Sequence, residues 1–147
     1  MSSYNIELNW KRTSEDFSYE KFNRTHTIEF SGNQLVRNSS APDYLGNTDT
    51  ANPEELIAAA LSSCHMLTFL VIASKSGYIV DSYSDMTEAK LEKNEEGKIA
   101  VTVINLKPTI VFSGSKTPDV DQLKSLHEKA HRNCFVANSI KSKVNIL

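Results

Sequence analysis

Two cysteines, Cys64 and Cys134, stand 70 positions apart and are the side chains here with most scope for chemistry. A thiolate attacks the O–O bond of a peroxide and becomes a sulfenic acid. A second thiol condenses with that acid to a disulfide, and an external dithiol restores both by exchange. Taken alone, each cysteine reads as an inert core residue, because free thiols are among the most buried side chains. Burial in apolar surroundings keeps a thiol protonated unless a cation or dipole offsets it. The candidate cations are Arg24, Arg37, Arg132 and the histidines, and Glu54 can hold an arginine in place.

The histidines carry a competing chemistry. His127, His131 and Cys134 recur at i, i+4 and i+7, which puts them on one face of a helix. With Cys64 or His65 from a facing helix they would make a zinc-type set. A third reading is a non-catalytic module that binds an apolar ligand and uses both cysteines as packing.

Cys64 lies in the most apolar stretch of the chain, Leu56 to Ala73. Its start is punctuated by Asn52-Pro53-Glu54-Glu55: an N-cap residue, a proline suited to the first turn, and a Glu that completes a capping box. The pattern predicts a helix to about Ser76, stopped by Gly77, apolar nearly all round and so covered on every side. Ser62, Ser63, His65 and Thr68 interrupt it, which favours a core helix over a membrane span. Glu54 stands ten positions before Cys64, about 15 Å along a helix axis, so the two cannot meet within one helix. Either a loop folds an arginine back along the helix, or a second subunit supplies its own Glu54 end.

Residues 4–10 alternate as a strand, residues 17–30 as one or two more, and residues 34–37 as a short one, followed by a loop over 38–51. Beyond the helix, 78–91 and 98–112 read as strands joined by the Asn94–Gly97 turn. Pro118-Asp119 opens a second helix with Leu123, Leu126, Ala130, Cys134 and Ala137 on its apolar side, and a strand over 143–147 closes the chain. The order predicts a single α+β domain over 1–147. A net charge of −2 with scattered basic residues gives no case for nucleic acid or anionic membrane. The first ten residues lack the basic and apolar regions of a signal peptide, which points to the cytoplasm.

The run from Asn52 to Cys64, Asn-Pro-Glu-Glu-Leu-Ile-Ala-Ala-Ala-Leu-Ser-Ser-Cys, resembles the central-helix signature of the OsmC/Ohr family. Asn133-Cys134-Phe135-Val136-Ala137-Asn138-Ser139 resembles its second-cysteine motif, with Phe135 where many members have proline and His65 as a further departure after Cys64. The resemblance implies an intertwined α+β homodimer with two long central helices packed against β-sheets and active sites at the subunit interface. It implies reduction of organic hydroperoxides without a cofactor, and a lipoyl-type dithiol as reductant. Cys64 would be the peroxidatic residue and Cys134 the resolving one. Glu54 would orient an activating arginine, for which Arg24 is the choice and Arg37 the alternative.

Overall fold

The punctuation at Asn52 works as its residue types require. In the computed structural model, which describes all residues from Met1 to Leu147, Asn52 Oδ1 accepts from Glu55 N at 2.9 Å. Asn52 N donates back to Glu55 Oε2 at 3.1 Å, closing the capping box. The helix that follows, α1, spans Pro53–Lys75. It ends at Gly77, whose φ of +80° is the left-handed conformation glycine tolerates best. Gly77 N donates to Ser74 O and Tyr78 N to Ala73 O, both at 3.0 Å, a Schellman termination.

The chain divides into two compact units, Met1–Leu56 and Ile57–Leu147. In the first, β1 (Glu7–Asn9), β2 (His26–Phe30) and β3 (Gln34–Asn38) form an antiparallel sheet in that order. The strands expected over 4–10 and 17–30 shrink to these short pieces. Phe17, Phe22 and Trp10 cluster with ring centroids 5.3 and 6.0 Å apart instead of alternating along a strand. The Asn23 side chain ties that loop to Thr13 N and Lys11 O. The stretch expected as a loop is tightly turned at Gly46, where a Cβ would lie 1.5 Å from the Ser40 carbonyl oxygen.

In the second unit the two long strands expected over 78–91 and 98–112 each break in the middle. They become β4 (Ile79–Asp85) and β5 (Glu88–Lys93), then β6 (Ile99–Leu106) and β7 (Pro108–Ser113). β5 pairs with β6 and β4 with β7, so one bent hairpin supplies two sheets. Its turn is the expected one: Asn94 Oδ1 accepts from Glu96 N and Lys98 N, and Gly97 takes a φ of +75°. The bend falls where Pro108 has no N–H to donate. There Asp85 takes over, accepting from Lys107 N and Thr87 Oγ1, each at 2.7 Å. Strand β8 (Lys143–Ile146) adds parallel to β6.

Helix α2 (Val120–Asn133) is capped by Asp119, whose carboxylate accepts from Gln122 N at 2.8 Å. It stops one residue short of Cys134, and Ala137 belongs to a separate short turn, Ala137–Ser139, not to the helix as expected. α1 presents the stripe Ala58, Leu61, His65, Phe69 and Ala73 to the interior. It is not covered on every side within one chain, since Leu67 and Val71 remain 57% and 52% exposed. By length and composition α1 could cross a membrane, but Leu61, Phe69 and Ala73 of the stripe pack into two cores of the second unit. One core joins Phe69, Ala73 and Tyr78 to Leu126 and Ala130; the other joins Leu61 to Ile104, Leu106 and Cys134. The α+β class expected from the sequence stands.

Candidate active site

Both cysteines are free thiols, and the fold brings them to one apolar cluster. Cys64 is half-buried on α1; Cys134 is fully buried at the position that caps the end of α2. Beyond Cys134 the chain turns at once, with Asn138 N donating to Cys134 O at 3.1 Å. That turn leaves the N–H groups of residues 135 to 137 without carbonyl partners inside it, and they point at sulfur. Ala137 N donates to Cys134 Sγ at 3.4 Å.

Burial is the largest influence on the Cys64 thiol and opposes its ionisation. It is outweighed by hydrogen bonds from the backbone N–H of Val136, the Cys134 thiol, the backbone N–H of Phe135 and the Thr68 hydroxyl, so Cys64 titrates below its ordinary value. Thr68 has a single hydroxyl proton, which donates to the Cys64 carbonyl oxygen at 2.8 Å. Its influence on the sulfur is accordingly the smallest of the four. Cys134 moves the other way. Burial first, and then its role as donor to Cys64, push it up to about 11. One sulfur is disposed to be a nucleophile while its neighbour keeps a proton.

Next to this pair lies a set of buried polar groups. His65 is fully buried, and its Nε2 is 3.0 Å from Nδ1 of His127 on α2. The two rings are stacked, 5.3 Å apart and 9° from parallel. Burial, and then the nearness of His127 and His131, hold His65 down to about 4, with Asp85 partly opposing. Burial lowers His127 as well. Asp85 accepts from Ser62 Oγ at 2.6 Å, joining α1 to the bend of the hairpin. Burial and the Asp85 charge push the Tyr83 phenol up.

Of the expected residues, the structure gathers Cys64 and Cys134 with each other. Arg24 is held within its own loop: Nη1 donates to Phe22 O at 3.0 Å, and the guanidinium lies over the Phe22 ring 3.9 Å from its centroid. Arg37 is exposed on β3, and Arg132 is exposed near the end of α2. Glu54 Oε2 is buried without a hydrogen-bond partner, and the one ion pair in the chain is Lys98–Glu96. Glu54 therefore holds no arginine of its own chain. The zinc-type set of His127, His131 and Cys134 is not assembled, because no three metal-ligating side chains converge. His127 turns to His65, Cys134 turns to Cys64, and His131 Nδ1 is buried without a partner.

Sequence reasoning missed three contributors. Thr68 was findable, since it follows Cys64 by one helical turn. Asp85 showed only as a charge inside a strand pattern. The N–H groups of Phe135 and Val136 carry no side-chain signature at all.

The OsmC-like protein family matches residues 46–147. Peroxiredoxin OsmC of Escherichia coli is 27% identical over 95 residues, 65% of this chain and 64% of that protein. The match thus spans less than two thirds of the curated relative. The solved structure of an OsmC-like protein of unknown function from Vibrio cholerae is 43% identical, with a TM-score of 0.95, covering 100% of this chain and 99% of that one. The organic hydroperoxide resistance protein OhrB of Bacillus subtilis is 17% identical with a TM-score of 0.69, covering 99% and 95%, a likeness of fold alone.

Proposed function

This chain belongs to the OsmC-like protein family, and we propose that it is a thiol-dependent peroxidase that reduces organic hydroperoxides. The observation that carries the reading is that the fold packs two free thiols, Cys64 and Cys134, into one apolar cluster, with Cys64 lowered and Cys134 raised. The names peroxiredoxin and organic hydroperoxide resistance protein among its relatives support it.

In this reading the Cys64 thiolate attacks the distal peroxide oxygen, the O–O bond breaks, and a proton completes the departing alcohol. Cys64 is left as a sulfenic acid. The Cys134 thiol then attacks the Cys64 sulfur, water leaves, and a Cys64–Cys134 disulfide forms. A dithiol of the lipoyl type returns both to thiols by exchange. The residues packed around the two sulfurs, Leu61, Val136 and Ile140, are apolar, which suits alkyl or lipid hydroperoxides better than smaller ones. Arg24 is assigned as the activating arginine and Glu54 as the carboxylate that orients it across a homodimer interface. The exposed Leu67 and Val71 on α1 and the unpaired Glu54 oxygen are consistent with a second copy. The protein would act in the cytoplasm.

Mass spectrometry of the fully reduced protein after one equivalent of cumene hydroperoxide tests the reading. A loss of two hydrogens, mapped to a Cys64–Cys134 disulfide, is the expected result. An unchanged mass with both thiols reduced at the outset would overturn it.

A further inference from the structure

The peroxidase chemistry makes no use of His65 and His127, although a buried imidazole pair is costly to keep. The ring nitrogens meet at 3.0 Å, and this is the one hydrogen bond between α1 and α2. Its ends are placed tellingly. His65 follows Cys64 in α1, and His127 precedes Cys134 by two helical turns, about 10 Å along the axis of α2. The rest of the contact between these helices has no hydrogen bond: the Phe69 ring lies 4.6 Å from the His127 ring, centroid to centroid, and Phe69 shares an apolar cluster with Leu126 and Ala130. Apolar contact is non-directional and tolerates sliding, whereas a hydrogen bond has a preferred length and angle.

The tautomer follows from what surrounds the pair. His65 Nδ1 is buried and has no partner. Were it protonated, it would be an orphaned donor, costlier than an unused lone pair. His65 Nε2–H therefore donates and His127 Nδ1 accepts, which leaves the other edge of His127 toward a cavity of about 300 Å³ beside Leu123 and Lys124.

We propose that the His65–His127 hydrogen bond is a positioning device for disulfide formation. It fixes the register of α2 on α1 at which the Cys134 thiol reaches Cys64. The assignment rests on the thiol-pair reading above, but it concerns the second step and not the attack on peroxide.

The test uses the reduced protein and dithiodipyridine, so it does not depend on peroxide. The Cys64 thiolate attacks the reagent disulfide and releases one thiopyridone, at a rate that rises with reagent concentration. Cys134 then loses its proton to solvent, attacks the Cys64 sulfur and releases a second thiopyridone, at a rate independent of reagent. In His127→Leu the second phase should slow by about tenfold or more, the scale of a lost positioning hydrogen bond, with the first phase little changed. His127→Asn keeps an acceptor near the Nδ1 position and should restore most of the rate. His127→Gln moves the amide away from that position and should stay slow; it decides the matter if His127→Leu fails to fold. A wild-type second phase in His127→Gln overturns the proposal. So does a second phase as slow in His127→Asn as in His127→Gln, or its absence from the wild type. If both phases behave as expected while hydroperoxide leaves the thiols untouched, the peroxidase reading fails and the positioning role stands.

Discussion

Cys64 and Cys134 share one apolar cluster yet titrate in opposite directions: burial raises Cys134, whereas hydrogen bonds led by the Val136 N–H and the Cys134 thiol lower Cys64. A hydrogen bond to a thiolate favours the charged form of the acceptor and the neutral form of the donor. The contact between the two thiols therefore adds to the lowering of Cys64 and to the raising of Cys134. Alkylation with iodoacetamide followed by peptide mass mapping resolves them. Cys64 should react below the pH at which an ordinary thiol ionises, whereas Cys134 should resist until the solution approaches about pH 11. Equal rates at neutral pH would contradict the arrangement.

Removing the donor should be felt at the acceptor. Cys134→Ala deletes one of four hydrogen bonds that lower Cys64, and the Cys64 alkylation profile should shift to higher pH. Cys134→Ser replaces the thiol by a hydroxyl that still donates, so it should shift less. After hydroperoxide, Cys134→Ser should accumulate a Cys64 sulfenic acid that a dimedone-type probe captures, and Cys64→Ser should not turn over. Full activity in Cys64→Ser would reverse the assigned roles.

Legibility in the sequence followed how local each feature is. The capped start of α1 was readable because Asn52, Pro53 and Glu55 settle their hydrogen bonds among themselves. The Asn94–Gly97 turn was readable for the same reason. The bend that splits the long strands was not, because it depends on Asp85 reaching Lys107 across the hairpin. Cys64 and Cys134, singled out by residue type, share one cluster in the fold. Two features of their setting lay beyond a reading of residue types. The N–H groups that favour the thiolate belong to the backbone, and the histidine pair joins positions on different helices. The apolar girth of α1 was legible, but one chain covers only part of it.

Asp85 should carry a large share of local stability. Its carboxylate accepts from Ser62 Oγ, Thr87 Oγ1 and Lys107 N, so it ties α1 to both strands of the hairpin at the bend. Hydrogen bonds to a charged group contribute about 1.5–3 kcal/mol each, and partners left buried without it add a penalty. Asp85→Ala should destabilise the fold by about 3 kcal/mol or more by urea denaturation, with Asp85→Asn milder because it keeps one acceptor oxygen. A change of less than about 0.5 kcal/mol, the scale of an ordinary surface substitution, would remove Asp85 from this role.

The buried histidines set how the fold responds to acid. His65 ionises near 6.5 when unfolded but is held to about 4 in the folded chain, and His127 is shifted in the same direction. Between those values the unfolded chain binds more protons than the folded one, so stability falls as pH falls. The contribution of His65 is fully present above about pH 6.5, is lost progressively toward pH 4, and changes no further below it. The shift corresponds to a loss on the order of 3 kcal/mol. Urea midpoints at pH 7, 5.5 and 4 should therefore decline steeply in the wild type. His65→Gln keeps a donor near the Nε2 position without a titrating ring, and its midpoints should decline less over the same interval. Parallel declines in the two proteins would place the acid sensitivity elsewhere, among the carboxylates, and would show that His65 does not resist protonation in the fold.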